Sequence, residues 1–325
     1  MFNCLVIVAL LTVLTVVLQY GVDSGLTSTR LLDMPYTTVV KGIAILLILV
    51  SHTASTMGTV AFTPCGGIGV ALFLICSGYG LMESWKKNGL KFYWRKKITR
   101  VFIPYVLVYF CISIAYGRNV EEMITVLLRG GGYWYIAYLT KWYLAFWMTM
   151  LIAPRYRLAI MSLVAICFFF TLSGIEAEQS LSFIAGICLS DYKDSLKRVA
   201  PKALIEFSLM AIALGIGALA VKQLPAIKDN PGVILNLTQM TIKFATASGI
   251  LFITGYLHRI LNSRFLYFFG IVSYECYLLQ MPFYSHLHGS LSLAMLFIIL
   301  LTLASFLYNK FNSWLTIIIN KYICA

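Results

Sequence analysis

The stretch KGIAILLILVSH, residues 41–52, is an apolar run with one ionisable side chain at each end. In a helix, eleven steps of about 100° bring Lys41 and His52 to within roughly 20° of each other on one face. At about 1.5 Å per residue they lie about 16 Å apart along the axis. An imidazole inside an apolar helix is costly without a partner or a water-filled cavity. The stretch therefore predicts a membrane helix in which His52 either serves a functional site or is satisfied by a neighbouring helix.

The composition of the whole chain is that of a membrane protein. Of 325 residues, 60% are hydrophobic and 11% are charged, and the mean hydropathy is +0.86. Soluble domains carry about 25% charged residues, whereas apolar runs long enough to cross a bilayer recur throughout this chain. The sequence predicts an all-α, polytopic transmembrane helical bundle without an internal repeat or a soluble domain.

The net charge of +13 comes from Lys and Arg residues in short loops between the apolar runs. Such loops set membrane orientation by the positive-inside rule, and few polar stretches remain to carry a basic groove for nucleic acid. The most basic loop, residues 84–100, is therefore expected on the cytoplasmic side. Alternation from this loop predicts about eleven spans, with the N-terminus outside and the C-terminus inside.

The predicted spans divide the chain into three parts. They are residues 2–19, 36–57, 68–83, 101–116, 133–153, 158–174, 179–190, 203–222, 233–257, 265–284 and 289–309. An extra N-terminal helix and link form residues 1–34, a membrane core forms 35–310, and 311–325 form a tail along the membrane interface. The first helix is expected to be retained, with a cleaved signal peptide as the alternative.

The cysteine and histidine patterns predict no metal site. Eight cysteines are scattered mostly through apolar segments without a CxxC pair, so they are expected to be small buried hydrophobes. His286 and His288 have the spacing of a ligand pair, but a third ligand is missing and we interpret them as solvated loop residues.

Four stretches, in the same order along the chain, resemble the acyltransferase-3 family of bacterial integral membrane acyltransferases. They are KGIAILLILVSH (41–52), FLICSGYG (73–80), FYWRKKITRVFIPY (92–105) and GIVSYECYLLQ (270–280). A fifth stretch, KWYLAFW (141–147), is a looser match to the family's mid-chain aromatic span. The resemblance implies a ten-helix core, to which the first helix of this chain is an addition.

Two positions depart from the family pattern. Lys97 and Arg100 occupy the family's RxxR spacing, and Lys97 offers a compact charge where the first Arg would offer a bidentate fork. Gln280 stands where many members have His, so no titratable role is carried to that position.

The resemblance implies an enzyme, an acyl-CoA-dependent O-acyltransferase of the bacterial cytoplasmic membrane. The expected donor is cytoplasmic acetyl-CoA, although another acyl group remains open. The expected acceptor is a hydroxyl of a cell-envelope polysaccharide or lipid-linked sugar, and the oligomeric state is open. A thioester is already activated, so the enzyme must deprotonate an alcohol or take up the acyl group itself. An imidazole, with a reference pKa of about 6.5, suits either task.

The resemblance also assigns roles to individual residues. His52 is the expected base or acyl carrier, and Lys41 either orients substrate and holds a CoA phosphate or merely snorkels to the interface. The basic residues expected at the CoA phosphates are Arg95, Lys96, Lys97 and Arg100. The residues expected at the substrate are Ser77, Trp142, Tyr143, Ser273 and Tyr274. For the basic set the alternative is a purely topological loop, and for the substrate set it is ordinary helix packing.

A second class of function remains open at this point. A transporter or flippase of a lipid-linked sugar or a small anion would use the Lys41–His52 face as a proton or substrate path. A membrane scaffold would leave ionisable residues within the spans unexplained.

Overall fold

The computed structural model describes residues 2–17, 31–128, 133–172, 174–257, 263–283, 287 and 290–323. Every regular element in these residues is a helix, which confirms the all-α prediction for this part of the chain. The main helices are α1 (Phe2–Val17), α2 (Met34–Thr56), α3 (Thr63–Asn88), α4 (Tyr93–Ala115), α5 (Val120–Leu128), α6 (Trp134–Ile152), α7 (Arg157–Thr171), α8 (Ser180–Asp191), α9 (Pro201–Lys222), α10 (Val233–Tyr256), α11 (Arg264–Ile271), α12 (Ser273–Gln280) and α13 (Leu291–Ile323).

Helices long and apolar enough to cross a membrane number six within the described residues. They are α2, α3, α4, α7, α9 and α13. The other predicted spans coincide with α1, α6, α8, α10 and the pair α11–α12. The protein is thus a multi-pass membrane protein, while the expectation of about eleven spans stays a prediction.

The span predicted at 265–284 is broken into two short helices at Val272. The Ser273 hydroxyl donates a hydrogen bond to the carbonyl of Gly270 at 2.9 Å, a local bond that competes with the regular helical ladder. The Val272 amide still bonds to Phe268 and ends α11 there. The chain then restarts as α12, whose side chains point into the bundle at Glu275 and Tyr277.

Helix α2 forms the centre of the bundle because glycines let its neighbours approach closely. A Cβ atom at Gly42 would overlap the carbonyl of Leu266 in α11, and one at Gly270 would overlap the carbonyl of Thr38 in α2. Only glycine fits where two helix backbones touch in this way. Gly78 likewise packs against the backbone of α8, as the packing interpretation of its segment predicts.

An ion-pair network joins the ends of α3, α7 and α8. The Glu83 carboxylate accepts from Ser190 at 2.6 Å and pairs with Lys193 at 3.1 Å. Arg157 pairs with Asp191 at 2.9 Å. Burial alone lowers the pKa of Lys193, but bonds to Tyr79 and Glu83 outweigh it and raise the pKa. We call this end of the bundle, which also carries the loop 84–100, the basic end.

The last helix does not stop at the predicted core boundary. Helix α13 continues unbroken past residue 310 to Ile323. Asn312 in this part donates a hydrogen bond to the buried Glu275 at 3.1 Å. The start of the segment 311–325 therefore packs on the core, while its interfacial position and the predicted domain boundaries stay predictions.

Candidate active site

Two cavities border α2, and they share one wall. The first, about 280 Å³, contains His52 and lies towards the end of the bundle opposite the basic end. The second, about 270 Å³, contains Lys41 and Arg100 and lies towards the basic end. We call them the His52 cavity and the Lys41 cavity. Tyr277 lines both, so its buried side chain is a wall that the two cavities share.

Aromatic packing holds this shared wall in place. Tyr277 is 4% exposed, and its ring meets Tyr133 and Tyr135 edge-on with centroids 6.1 and 5.3 Å apart. The Tyr133 hydroxyl donates to the carbonyl of Leu278 at 2.8 Å, which ties α12 to the start of α6. Edge-on aromatic contacts and a buried hydroxyl bond give the wall a defined position.

His52 lies about one turn before the end of α2. The side-chain amide of Gln280, in α12, lies beside it, and among the described residues neither polar atom of this amide has a hydrogen-bond partner. An amide has no charge to gain or lose, so Gln280 cannot take up the proton of the imidazole. Next to His52 in the chain, the Ser51 hydroxyl donates to the carbonyl of Thr63 at 3.3 Å and fixes α2 against the start of α3.

Ile175 and Gln179, which the sequence did not single out, line the His52 cavity from the segment 174–179. Gln179 donates its amide to the carbonyl of Gly67 at 2.9 Å. Glu178 forms an ion pair with Lys243, and both side chains are about 10% exposed. Lys243 interrupts the apolar run 233–257, and an ionisable residue inside a membrane helix is the signal that would have found it.

The Lys41 cavity combines cations with hydroxyl groups. Of the predicted residues it collects Lys41, Ser77, Arg100, Tyr143, Ser273 and Tyr274. The hydroxyl of Ser77 lies beside the phenols of Tyr135 and Tyr143. Tyr135, Glu275 and Asn309 also line this cavity, and no sequence pattern pointed to these three residues.

A local widening of α4 places Arg100 in this cavity. Pro104 has no backbone N–H, so the usual bond from residue 104 to the carbonyl of Arg100 is absent. The turn over Ile98–Phe102 is a π-helix, and the Ile103 amide reaches back to Ile98. Such single π turns recur at functional sites. Tyr274 donates its hydroxyl to the Val101 carbonyl at 2.7 Å and braces the widened turn from α12.

Four predicted residues line neither cavity. The Lys97 ammonium lies 4.2 Å from the ring centre of Tyr143, close to the Lys41 cavity. Arg95 packs over Phe92 at 4.2 Å, and Lys96 is half-buried on the same helix. Trp142 is fully buried and stacks on Phe183 with ring centres 4.9 Å apart.

The described residues hold no group of three or more His, Cys, Asp or Glu placed for a metal ion. His286 and His288 lie outside the described residues.

The fold and the two cavities define an integral membrane protein with a polar site inside its helical bundle. The site has an imidazole in one cavity and a lysine and an arginine in the other. The family model that matches this chain is that of the acyltransferase-3 domain, described as an acyltransferase domain, and it covers residues 34–319. The chain therefore belongs to the acyltransferase-3 family and is a membrane acyltransferase. No curated protein and no solved structure matches the chain.

Proposed function

We propose that the protein transfers an acyl group, in the first instance acetyl, from cytoplasmic acetyl-CoA to a hydroxyl of a cell-envelope glycan or lipid-linked sugar. It acts in the bacterial cytoplasmic membrane with its basic end and C-terminus on the cytoplasmic side, as the positive-inside rule requires. The observation that carries the proposal is the pair of cavities on α2, one with Lys41 and one with His52, with Tyr277 as their shared wall.

The Lys41 cavity is the proposed donor site. Its two cations, with Lys97 next to them, complement the phosphates of CoA, and Arg100 offers a bidentate fork. Small-molecule sites usually enclose about 300–1,000 Å³, so a cavity of about 270 Å³ admits only part of acetyl-CoA. Arg95 and Lys96 attract the remaining negative charge to the basic end. Trp142 packs away from both cavities, and the proposal assigns it no contact with substrate.

The hydroxyl groups of the donor site orient the thioester. Ser77, Ser273 and the phenols of Tyr143 and Tyr274 line the cavity beside the two cations. Hydroxyl donors aimed at the thioester carbonyl stabilise the negative charge that develops on its oxygen during attack.

His52 is the proposed catalytic residue, in one of two roles. As a base, its neutral imidazole takes the proton of the acceptor hydroxyl while that oxygen attacks the thioester carbonyl; the C–O bond forms, the C–S bond breaks, and the CoA thiolate is protonated. As a relay, the imidazole nitrogen attacks the thioester carbonyl first; the N–C bond forms, the C–S bond breaks, and CoA leaves as a thiolate that is then protonated. The acceptor hydroxyl next attacks the acyl-imidazole; the ester C–O bond forms, the N–C bond breaks, and the hydroxyl proton goes to the released imidazole. The position of Tyr277 between the cavities favours the relay. In a relay His52 receives the acyl group from the donor first and passes it to the acceptor afterwards, so donor and acceptor need not occupy one cavity together.

A transporter or flippase is the second candidate, and one observation favours it. Ionisable side chains occur inside the bundle at both levels, with the buried pair Lys243–Glu178 near His52 and Lys41 near the basic end. Such residues also line proton and substrate paths in transporters. Transport without chemistry would return the acceptor unmodified.

The experiment that separates the two uses the purified chain in proteoliposomes, acetyl-radiolabelled CoA thioester and a glycan fraction from bacterial membranes. Radiolabel recovered in glycan and released by mild alkali, as an ester is, supports the acyltransferase. Movement of unlabelled glycan across the vesicle membrane, with no ester formed, contradicts it and supports the transporter.

A further inference from the structure

The His52 cavity is lined by two lysines from the neighbouring helices α9 and α10. Lys222 is the last residue of α9, and Lys243 lies in the middle of α10. Within the described residues, no Asp or Glu side chain forms part of this lining. Any carboxylate that pairs with one of these lysines therefore lies behind the cavity lining.

Lys243 is the lysine that is neutralised. Its ammonium pairs with Glu178, and its stem packs so closely on α3 that a Cβ atom at Gly67 would overlap it. A buried cation with a dedicated counter-ion is satisfied within the protein. Lys243 thus shapes the cavity, and because Glu178 neutralises its charge it attracts an anionic ligand only weakly.

Lys222 is not neutralised in this way. It is half-buried, and among the described residues no ion pair or hydrogen bond to it occurs. The charged residue that acts on it is Lys228, which has the same sign. A lysine in the last turn of a helix is favoured by the helix dipole wherever its side chain points. The dipole therefore does not explain why Lys222 lines the cavity that contains His52. Among the described residues, the cavity is left with one positive charge that no carboxylate offsets.

We propose that the acceptor of this enzyme is anionic, and that Lys222 binds its carboxylate or phosphate at the His52 cavity. The inference rests on the proposed function, because it takes this cavity as the acceptor site. A uronic acid would bring the carboxylate within the sugar, and a lipid-linked or phosphorylated sugar would bring a phosphate. The other polar lining groups suit the rest of such an acceptor. Gln239 offers an amide to sugar hydroxyls, and Trp134 offers an aromatic surface.

A binding experiment tests this without requiring catalysis. Purified full-length protein is titrated by equilibrium dialysis with three radiolabelled probes that share a glucose ring: neutral methyl glucoside, methyl glucuronide and glucose 1-phosphate. We expect at least one anionic probe to bind about tenfold more tightly than the neutral one, the usual contribution of one hydrogen bond to a charged group. Preference for the glucuronide identifies a carboxylate ligand, and preference for the phosphate identifies a phosphorylated or lipid-linked one.

Matched lysine variants locate the effect. Lys222→Gln is expected to abolish the preference, and Lys222→Arg, which keeps the charge, to retain it. Lys228→Gln removes the same charge from an exposed position in the same loop and is expected to change affinity less than twofold. Equal binding of neutral and anionic probes, absence of binding by all three, or equal losses in Lys222→Gln and Lys228→Gln would each overturn the proposal.

Acetyl transfer measured on the same preparations separates this inference from the proposed function. If acetyl is transferred to a neutral glycan at the same rate by wild type and Lys222→Gln, the anionic acceptor is contradicted and the acyltransferase reaction is supported. If an anion binds in a Lys222-dependent way but acetyl-CoA is not consumed, the proposed reaction is contradicted and the anion site is supported.

Discussion

Lys41 and His52 stand eleven residues apart on one helix and line two different cavities, and Tyr277 lines both. Eleven residues of helix span about 16 Å, roughly half of the ~30 Å hydrocarbon core of a bilayer. We therefore expect a group that enters beside Lys41 to pass the phenol of Tyr277 on its way to the imidazole. This shared wall and the residues on either side of it are the parts of the molecule to test.

Truncation of the wall should uncouple the reaction. Tyr277→Ala joins the two cavities and admits water, so we expect hydrolysis of acetyl-CoA to rise relative to transfer. Tyr277→Phe keeps the ring and its contacts with Tyr133 and Tyr135, and should keep the ratio near that of the wild type. Simultaneous assay of free acetate and glycan ester measures that ratio. Loss of transfer in Tyr277→Phe to the same extent as in Tyr277→Ala would mean that the hydroxyl, rather than the wall, is required.

Removal of the cations in the Lys41 cavity should weaken binding of the donor. We expect Lys41→Gln and Arg100→Gln each to raise the KM for acetyl-CoA about tenfold or more, since each removes a charge-assisted contact with phosphate. Arg100→Lys should lie in between, because it keeps the charge and loses the fork. Initial rates across acetyl-CoA concentrations give the values.

Lys87→Gln is the matched control for these variants. Lys87 is exposed in the same basic region and lies outside both cavities. An equal rise in KM in Lys87→Gln would show that the basic loop acts only through its overall charge.

The part of this site that was readable from the sequence is the part carried by a single helix. Helical periodicity places Lys41 and His52 on one face, and the basic loops predict a cytoplasmic side, which stays a prediction. In the structure Lys86 and Lys193, from two of these loops, meet at one end of the bundle, where both pair with Glu83. Contacts between distant segments were not readable. Glu178 meets Lys243 across 65 residues of chain, and no local pattern specifies such a partner.

The break at Val272 has the same explanation. Apart from Glu275 and Gln280, the segment 265–284 is apolar enough to be predicted as one span, and its helix breaks where the Ser273 side chain bonds to the preceding backbone. A Ser within an apolar run is compatible with both outcomes. Tertiary packing of α11 against α2 decides between them.

Breaking the buried ion pair should destabilise the protein. Glu178→Gln leaves the Lys243 ammonium without a counter-ion, at a cost of about 3 kcal/mol or more in the free energy of unfolding. Replacing both residues, as Glu178→Gln with Lys243→Met, should recover most of the loss because no buried charge remains. Thermal unfolding in detergent compares the variants.

An exposed pair on α9 provides the control for this comparison. Glu206 lies 3.9 Å from Lys202, and their side chains are 60% and 89% exposed. Glu206→Gln should change stability by less than about 1 kcal/mol. A Glu178→Gln variant as stable as Glu206→Gln would contradict the buried pair.

Filling the closest helix crossing should also destabilise the fold. Gly270→Ala inserts a methyl group against the Thr38 carbonyl, and overpacking of this kind costs about 1–3 kcal/mol. Gly80→Ala is the control, since a Cβ atom there meets nothing within 4 Å and alanine favours a helix by about 0.5–1 kcal/mol. The midpoint of thermal unfolding should fall in Gly270→Ala and stay level or rise in Gly80→Ala. A rise in both variants, or an equal fall in both, would contradict the close approach of α2 and α11.

The most direct test of the central claim is acetyl transfer by membranes that contain equal folded amounts of wild type and His52→Gln. Glutamine approximates the size of the imidazole but takes up no proton and carries no acyl group. With radiolabelled acetyl-CoA, we predict that ester label in the glycan falls by a factor of about 10² or more, and that any transient label on the wild-type protein disappears. Unchanged glycan labelling in His52→Gln would contradict the account and return His52 to a packing role.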